Sequence, residues 1–393
     1  MPIFREKTLY TYKFIGQCLP IYAFYTILFL ERGKTITDVA ILIAFWSVCT
    51  IFFEIPSGIL ADRWNRRNML AIAAVLQALC FVVWFFSHTF LHFAVGFAFW
   101  ALSGAFTSGT EEGLIYDNLK SDGQETRFTE VYGKAQFYAN IGTIVGIATA
   151  GIIASVISVA AIALLSAGIC LLNAIFALQI REKNSYTTRP SDQTTTFWGT
   201  LQEASGFVKN SKLALLSISF LVLFASLGNY LDEFDAIIIN DFQLSHIWVS
   251  VILTVRFAFV ALGDILAPMV EKKITSIRQI FLLNALACAV LAVFALVWNQ
   301  FAIPIFGFAF LCMAITEILL VNALQGEIKE EGRATVLSFY SIGQNIAMIC
   351  LTLIYALLAG VFALQQVYLI LSIYGILGGV VFCLLSGTIK RKI

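Results

Sequence analysis

The chain has 393 residues, of which 60% are hydrophobic and only 12% charged, and its mean hydropathy is +0.87. A soluble domain is about half apolar and about a quarter charged, so this composition excludes a soluble single-core protein and predicts extensive contact with lipid. The net charge of +1 gives no sign of a nucleic-acid partner, and the distribution of the charges is more informative than their sum.

A transmembrane helix needs about 20 mostly apolar residues. Twelve such runs follow one another and are called spans 1 to 12: 13–31, 38–61, 68–87, 91–115, 133–154, 157–180, 213–232, 246–270, 277–298, 301–325, 334–358 and 364–387. They predict an all-α membrane protein. Its expected domains are a six-helix bundle at 1–180, a linker at 181–212 and a second six-helix bundle at 213–393.

The basic residues predict the orientation of these spans. Of the 25 lysines and arginines, 22 lie in the termini or in the loops after even-numbered spans, while only Arg32 and Lys34 lie in the opposite loops and Arg256 lies within a span. Cytoplasmic loops carry the excess of lysine and arginine, so both termini are expected in the cytoplasm.

The loop between spans 2 and 3 carries the most informative motif. Gly58 is followed by Asp62 and Arg63 and then by Arg66 and Arg67. A glycine, an acid and clustered arginines at a membrane edge indicate a charged latch in a membrane protein that moves, and hence transport. The alternative is that these arginines only determine orientation.

Charges inside spans are expensive and therefore indicate a partner, a cavity or a function. Four carboxylates of this kind are candidates for proton coupling, since burial can make a carboxyl group a proton carrier: Glu54, Glu111, Glu112 and Glu317. For Glu54 and Glu112, a structural network with Arg127, Lys134 or the loop arginines is an equally open interpretation.

Arg256, near the middle of span 8, is the least expected charge of the chain. It either binds an anionic group of a substrate or pairs with a carboxylate in a cavity. The acidic patch of Asp232, Glu233 and Asp235 at the end of span 7 is interpreted as a solvated rim. The alternative is an outer gate that closes onto Arg256 or onto the basic residues of the first outer loop.

Other polar side chains within spans suggest a mixed binding cavity, although amides can also serve only as interhelical hydrogen bonds. The candidates, together with Arg256, are Gln17, Tyr25, Gln136, Asn140, Asn229, Tyr230, Gln344 and Asn345. The linker is polar at first and then amphipathic, with Phe197, Trp198 and Leu201 at helical spacing. This predicts a short helix on the membrane surface, with a plain linker as the alternative.

An internal repeat supports two similar halves. A shift of 206 residues aligns Glu111 with Glu317 and Arg127 with Arg333, and it superimposes spans 1–6 on spans 7–12. Two duplicated bundles can rock about a site near the bilayer midplane, as in alternating access.

With these features the chain resembles the major facilitator superfamily, and within it bacterial drug-efflux-like members. The loop motif of that family is matched by Gly58, Leu60, Asp62, Arg63 and the pair Arg66–Arg67, with Asn65 where glycine is usual. Segments 53–57 and 112–117 also resemble efflux-like members. The resemblance implies that span 2 meets span 11, so that Asp62 would contact the positive N-terminal end of span 11 near Arg333.

The remaining motifs concern chemistry that the chain lacks. There is no GxxxxGK[ST] phosphate loop, HExxH or GxSxG sequence, and the eight cysteines lie in apolar runs without CxxC spacing. We therefore predict neither an enzyme nor a direct user of ATP, with no cofactor and no metal.

The sequence predicts a monomeric secondary transporter in a bacterial inner membrane, which moves a small organic molecule and couples its export to protons. The alternative is an importer or facilitator for a nutrient or a siderophore-like anion. Trp100 stands where many proton antiporters carry arginine, and span 5 lacks their proline; both departures favour the alternative.

Overall fold

The chain is seen in a computed structural model that describes residues 6–108, 110–182, 212–225, 227–327 and 333–387. The side chains of residues 55, 58, 59, 61–63, 125, 325–327, 333–339 and 341 lie outside that description, as do residues 183–211 with the amphipathic part of the predicted linker. Within the described residues, twelve helices or helix series are long and apolar enough to cross a membrane. The predicted all-α architecture with twelve spans is confirmed.

The first six spans are built from nine helices. They are Glu6–Gln17, Pro20–Ala23 and Tyr25–Glu31 for span 1, Ile36–Arg63, Arg66–Phe86, Phe90–Thr107 and Thr110–Ser121 for span 4, Phe128–Val156 and Val159–Gln179. A short 3₁₀ turn, Glu125–Arg127, precedes span 5.

The second six spans follow the same plan. They are Lys212–Phe220, Leu221–Ala225 and Leu227–Asp232 for span 7, then His246–Glu271, Ile277–Val297, Ile303–Glu327, Arg333–Ala359 and Leu364–Ser386. Short helices at Asp235–Asp241 and Gln300–Ala302 lie between spans. The helix bounds follow the repeat: Val159–Gln179 shifted by 206 residues gives 365–385, where the structure has Leu364–Ser386.

Side chains at the helix starts explain several of these bounds. Span 2 begins with a capping box, because Asp38 N donates to Thr35 Oγ1 at 3.1 Å and Thr35 N donates to Asp38 Oδ2 at 2.8 Å. Span 3 begins after Asn65, whose Oδ1 accepts a hydrogen bond from Asn68 N at 3.1 Å. An asparagine in place of the family's usual glycine therefore has a structural role as an N-cap.

Three spans are interrupted rather than continuous. Span 1 breaks at Cys18 and Leu19 before the 3₁₀ turn Pro20–Ala23, and span 4 breaks after Thr107. Span 7 contains a π-helical turn at Leu221–Ala225, a feature that frequently marks functional sites. The apolar pattern alone predicted these spans as continuous helices.

The chain divides into two compact units, described separately. Unit 1 consists of the described residues within Met1–Arg189 together with Gln243–Thr254, and unit 2 of those within Pro190–Phe242 and Val255–Ile393. In unit 1 the start of span 5 packs around Val131 against Leu9, Leu70 and Leu114 of spans 1, 3 and 4. In unit 2 span 12 approaches span 9 so closely that a Cβ at Gly379 would lie 2.7 Å from Phe281 O.

Glycines of span 5 allow a similar approach in unit 1. A Cβ at Gly146 would lie 2.7 Å from Leu19 N, and one at Gly142 would collide with Phe14 O of span 1. Small residues at helix crossings of this kind let two backbones touch, which is the common packing device in membranes.

Candidate substrate and proton site

Unit 2 contains a cavity of about 550 Å³ between spans 7, 8 and 10. Its lining is mainly apolar, with aromatic faces from Phe257 and Phe310. The polar side chains that line it are Asn229, Asp232, Arg256, Asp264, Glu317 and Asn322. Pockets of 300–1,000 Å³ with a few convergent polar groups are typical of small-molecule sites.

Helical spacing explains why these residues meet in one place. Arg256, Val260 and Asp264 are four residues apart on span 8 and therefore share one face of that helix. On span 10, Phe310 and Glu317 are seven residues apart and face the same cavity. Asn229 lies in the helix Leu227–Asp232 of span 7, four residues after Ala225, the last residue of the π-helical turn.

Glu317 is held in the cavity by an amide rather than by a cation. Asn229 Nδ2 donates to both carboxylate oxygens, at 3.0 Å to Oε1 and 3.1 Å to Oε2. No lysine or arginine among the described side chains forms an ion pair with Glu317 or Asp264. On span 11, the side chains of Gln344 and Tyr340 form a hydrogen bond with each other.

Arg256, in contrast, forms ion pairs with two carboxylates. It is only 4% exposed, its Nη2 lies 2.5 Å from Asp232 Oδ1, and its Nε lies 2.7 Å from Asp235 Oδ2. The contact to Asp235 is an ion pair that is not aligned as a hydrogen bond. The guanidinium carbon also lies 4.7 Å and 4.3 Å from the ring centroids of Phe257 and Phe310, at cation–π distance.

One guanidinium thus faces two carboxylates. Asp235 is 1% exposed, and burial raises the pKa of its carboxyl group well above the ordinary value although Arg256 pulls that pKa down. The predicted alternatives for Arg256 included pairing with a carboxylate, and this pairing is what the structure contains. Asp235 and Asp232 are its partners rather than an unpaired solvated rim.

Tyr230 is not among the residues that line the cavity. It is fully buried, its ring centroid is 5.5 Å from that of Phe234, and Phe234 stacks on Tyr355 at 3.9 Å. The predicted binding residues Gln344 and Asn345 of span 11 are half-buried. Of the candidates in unit 2, the cavity therefore brings together Arg256 and Asn229 with Glu317.

The corresponding carboxylate of unit 1 has a different environment. Lys13 Nζ lies 2.7 Å from Glu111 Oε1 and 3.0 Å from Oε2, and the two side chains are 11% and 8% exposed. Glu112 is exposed and accepts a hydrogen bond from Tyr132 Oη at 2.9 Å. The same hydroxyl group of Tyr132 accepts a hydrogen bond from Gln136 Nε2 at 2.8 Å.

The networks predicted as alternatives for Glu54 and Glu112 differ from those observed. Arg127 and Lys134 both pair with Glu130, at 3.1 Å and 2.6 Å, rather than with Glu112. Glu54 is exposed and forms no ion pair with the described side chains.

The other polar candidates of unit 1 do not form one cluster. Tyr25 is buried in an aromatic group with Trp84, Phe97 and Trp100, with ring centroids 5.7 to 6.2 Å from its own. Gln17 is half-buried and Asn140 is exposed.

The latch motif is described in part. The side chains of Asp62 and Arg63, and the surroundings of Gly58, lie outside the described residues. Arg66 Nη1 lies 2.7 Å from Asp117 Oδ2 of span 4.

The start of span 3 is fixed by a second carboxylate. Glu182 accepts backbone hydrogen bonds from Arg66 N at 2.8 Å and Arg67 N at 3.2 Å. A carboxylate at a helix N-terminus is favourable because the helix dipole is positive there. The basic loop is therefore anchored within unit 1 to the ends of spans 4 and 6.

Sequence reasoning missed Asp264 and the role of Lys13. Asp264 is a charge within span 8 and lies eight residues after Arg256, so helical spacing could have placed both on one face. Lys13 was counted only as an orientation signal because it lies at the predicted start of span 1, whereas the helix begins at Glu6.

Comparison with known proteins identifies the family. The model of the Major Facilitator Superfamily matches residues 14–349. The chain belongs to this superfamily. It is 36% identical over 69 residues to the uncharacterized MFS-type transporter YfkF of Bacillus subtilis (strain 168), a match that spans 18% of this chain and only 16% of that relative.

Solved structures of superfamily transporters share the fold over nearly the whole chain. The nucleoside transporter NupG superimposes with a TM-score of 0.79 at 14% identity, covering 98% of this chain and 99% of NupG. A bacterial homolog of the human lysosomal transporter Spinster gives 0.71 at 14% identity, with 96% and 93% covered. The chain therefore has the fold of these transporters, in agreement with its membership of the superfamily.

Proposed function

We propose that this transporter couples the export of a small organic molecule to proton entry across a bacterial inner membrane, by alternating access and as a monomer. The observation that carries the proposal is the cavity of unit 2, where Glu317 and Asp264 have no cationic partner among the described side chains. A carboxylate that meets only an amide can bind and release a proton within the site.

Proton coupling requires a group whose charge changes during the cycle. Glu317 suits this role because Asn229, its hydrogen-bond donor among the described side chains, can remain in place when one carboxylate oxygen is protonated. Glu111 is less suited, because it already forms an ion pair with Lys13. Of the predicted carriers we therefore favour Glu317, with Asp264 as its neighbour.

Two features support a moving, two-bundle mechanism. The bundles 1–180 and 213–393, joined by the linker 181–212, follow the repeat of 206 residues and would rock with both termini in the cytoplasm. The motif from Gly58 to Arg67 would serve as the latch, since Arg66 and Arg67 are already anchored within unit 1. Its release would accompany opening of the inner side.

Export is favoured over import of an anion. The rival function depends on Arg256 as the anion-binding group, and its guanidinium already pairs with Asp232 and Asp235. The resemblance of segments 53–57 and 112–117 to efflux-like members also supports export.

The experiment uses everted membrane vesicles that contain the full chain. A proton gradient is generated by respiration, and acridine orange reports its partial collapse when compounds from a panel of cations, nucleosides and organic anions are added. We expect at least one compound to be accumulated in a manner that nigericin abolishes, and Glu317→Gln to lose this response.

Matched variants make the result interpretable. Asp241→Asn is a carboxylate replacement in unit 2 outside the cavity, and Asn can still accept from Trp298 Nε1, which now donates to Asp241 at 3.0 Å. Accumulation that persists unchanged after nigericin would exclude proton coupling. If right-side-out vesicles accumulated the compound and everted vesicles did not, the transporter would be an importer rather than an exporter.

A further inference from the structure

We propose that the cavity of unit 2 binds an organic cation, with Asp264 and Glu317 as its counter-charges. This inference rests on the proposed function, because it assigns the substrate class of the same site. It goes beyond that function, which leaves the charge of the transported molecule open.

The charges around the cavity favour a cation. Asp232, Asp264 and Glu317 line it together with a single guanidinium, Arg256. Arg256 is paired with Asp232 and, behind the cavity wall, with Asp235. Its charge is therefore already compensated, and an entering anion would meet two carboxylates, Asp264 and Glu317, without a free cation among the described residues.

The geometry at Glu317 leaves room for a ligand. A carboxylate offers about four lone-pair positions, and Asn229 Nδ2 is the described hydrogen-bond donor to this one. The positions that remain can accept from an ammonium group or face a quaternary nitrogen. Asp264, on the adjacent span 8, has no hydrogen bond or ion pair with a described side chain.

The rest of the lining favours an organic cation over a metal ion. Val260, Met313, Ile318 and Val321 contribute apolar surface next to the two carboxylates. Calcium and magnesium require six or more oxygen ligands close together, and no group of three potential metal ligands occurs among the described residues. An apolar wall with two carboxylates matches a molecule that combines a positive charge with hydrocarbon.

The aromatic rings of the cavity also favour a cation over an anion. Phe257 and Phe310 both line the cavity, and both already lie at cation–π distance from the Arg256 guanidinium. The negative face of a ring attracts cations and repels anions. The aromatic rings and the carboxylates therefore both favour an organic cation, and the cavity volume is sufficient for a small molecule of this class.

Equilibrium dialysis of the purified full chain in detergent tests the inference with two ions of the same shape. Tetraphenylphosphonium is a lipophilic cation and tetraphenylborate its anionic counterpart, and benzyltrimethylammonium serves as a smaller cation. Protein-free micelles correct for partition into detergent. We expect at least one of the two cations to bind at least about tenfold more tightly than tetraphenylborate.

Variants locate the binding. We expect Glu317→Gln and Asp264→Asn each to weaken cation binding about tenfold, since each removes one desolvated counter-charge, and Asp241→Asn to leave it unchanged. Thermal unfolding checks that each variant is folded. If one variant is unstable, the other single variant and the comparison of the two tetraphenyl ions on the unmodified protein still decide the question.

The outcomes separate this inference from the proposed function. Equal binding of both tetraphenyl ions, tighter binding of tetraphenylborate or no binding of either cation would overturn the organic-cation assignment. These measurements use no gradient, so a transporter that binds the cation but ignores nigericin would refute proton coupling alone.

Discussion

Glu111 and Glu317 are 206 residues apart and occupy equivalent positions in the two halves, yet one is paired and the other is not. Glu111 forms a buried ion pair with Lys13, whereas Glu317 faces a cavity and, among the side chains that the structure describes, accepts from Asn229 and pairs with no cation. The repeat gives the reason: the position of Lys13 is occupied by Ser219 in the second half, and that of Asn229 by Ala23 in the first.

The same comparison explains the second carboxylate of the cavity. Asp264 stands at the repeat position of Gly58, the glycine of the latch motif. The second half therefore places a charged side chain in a cavity at the repeat position where the first half has a glycine. Duplicated bundles can share a backbone plan while a few substitutions make one of them structural and the other chemically active.

The largest expected effect comes from supplying Glu317 with a cationic partner, which it lacks among the described side chains. Ser219→Lys introduces at the repeat position the lysine that neutralises Glu111 in unit 1. We expect an ion pair with Glu317, and therefore loss of nigericin-sensitive transport in everted vesicles at normal expression.

Ser219→Met is the matched control for side-chain length, and it should retain coupled transport. Full coupling in Ser219→Lys, at normal expression, would mean that Glu317 is not the proton carrier or that the two halves do not align as the repeat predicts.

The next largest effect is expected from removing the ion pair between Lys13 and Glu111 in unit 1. Lys13→Met leaves the buried carboxylate of Glu111 without its partner, and breaking such a pair costs about 3–5 kcal/mol. We expect a lower unfolding temperature in detergent with proton coupling retained. The double variant Lys13→Met/Glu111→Leu should recover most of the stability, because an apolar pair leaves no buried charge.

This experiment also tests the rival assignment of the carrier. If Glu111→Gln abolished coupling while unfolding remained unchanged, Glu111 would be the carrier in spite of its ion pair. The proton carrier would then lie in unit 1 rather than in unit 2.

Apolar runs were sufficient to predict the twelve spans, because the length of a transmembrane helix is fixed by the bilayer. The breaks in spans 1, 4 and 7 were not predictable in this way, since a 3₁₀ or π-helical turn changes backbone hydrogen bonds without changing hydropathy. The π-helical turn precedes Asn229, so the geometry of the cavity depends on a feature that the pattern does not carry.

Charges were easy to find in the sequence and their partners were not. Glu317 and Arg256 were recognised because any charge in a span is costly. That Arg256 pairs with Asp235, and that Glu111 pairs with Lys13, depends on contacts between residues 21 and 98 positions apart. Such contacts follow from helix packing, which one sequence does not specify.

The smallest expected effect concerns Asp235, the more deeply buried of the two carboxylates that pair with Arg256. Burial raises the pKa of Asp235 well above its ordinary value of about 3.9, against the opposing pull of Arg256. Because the folded pKa exceeds the unfolded one, the stability from this group is fully present below the unfolded pKa and is lost as pH rises through the folded pKa.

We therefore expect the unfolding temperature in detergent to fall by a few degrees as the pH rises above the ordinary aspartate pKa of about 3.9, and Asp235→Asn to flatten this decline. Asn has nearly the same shape and removes only the titration. Asp241→Asn, on the exposed side of the same short helix, is the control that should keep the wild-type slope. An unfolding temperature that rises with pH in the wild type but not in Asp235→Asn would mean that the attraction of Arg256 outweighs burial. The Arg256 guanidinium would then keep the Asp235 carboxylate charged in the folded protein.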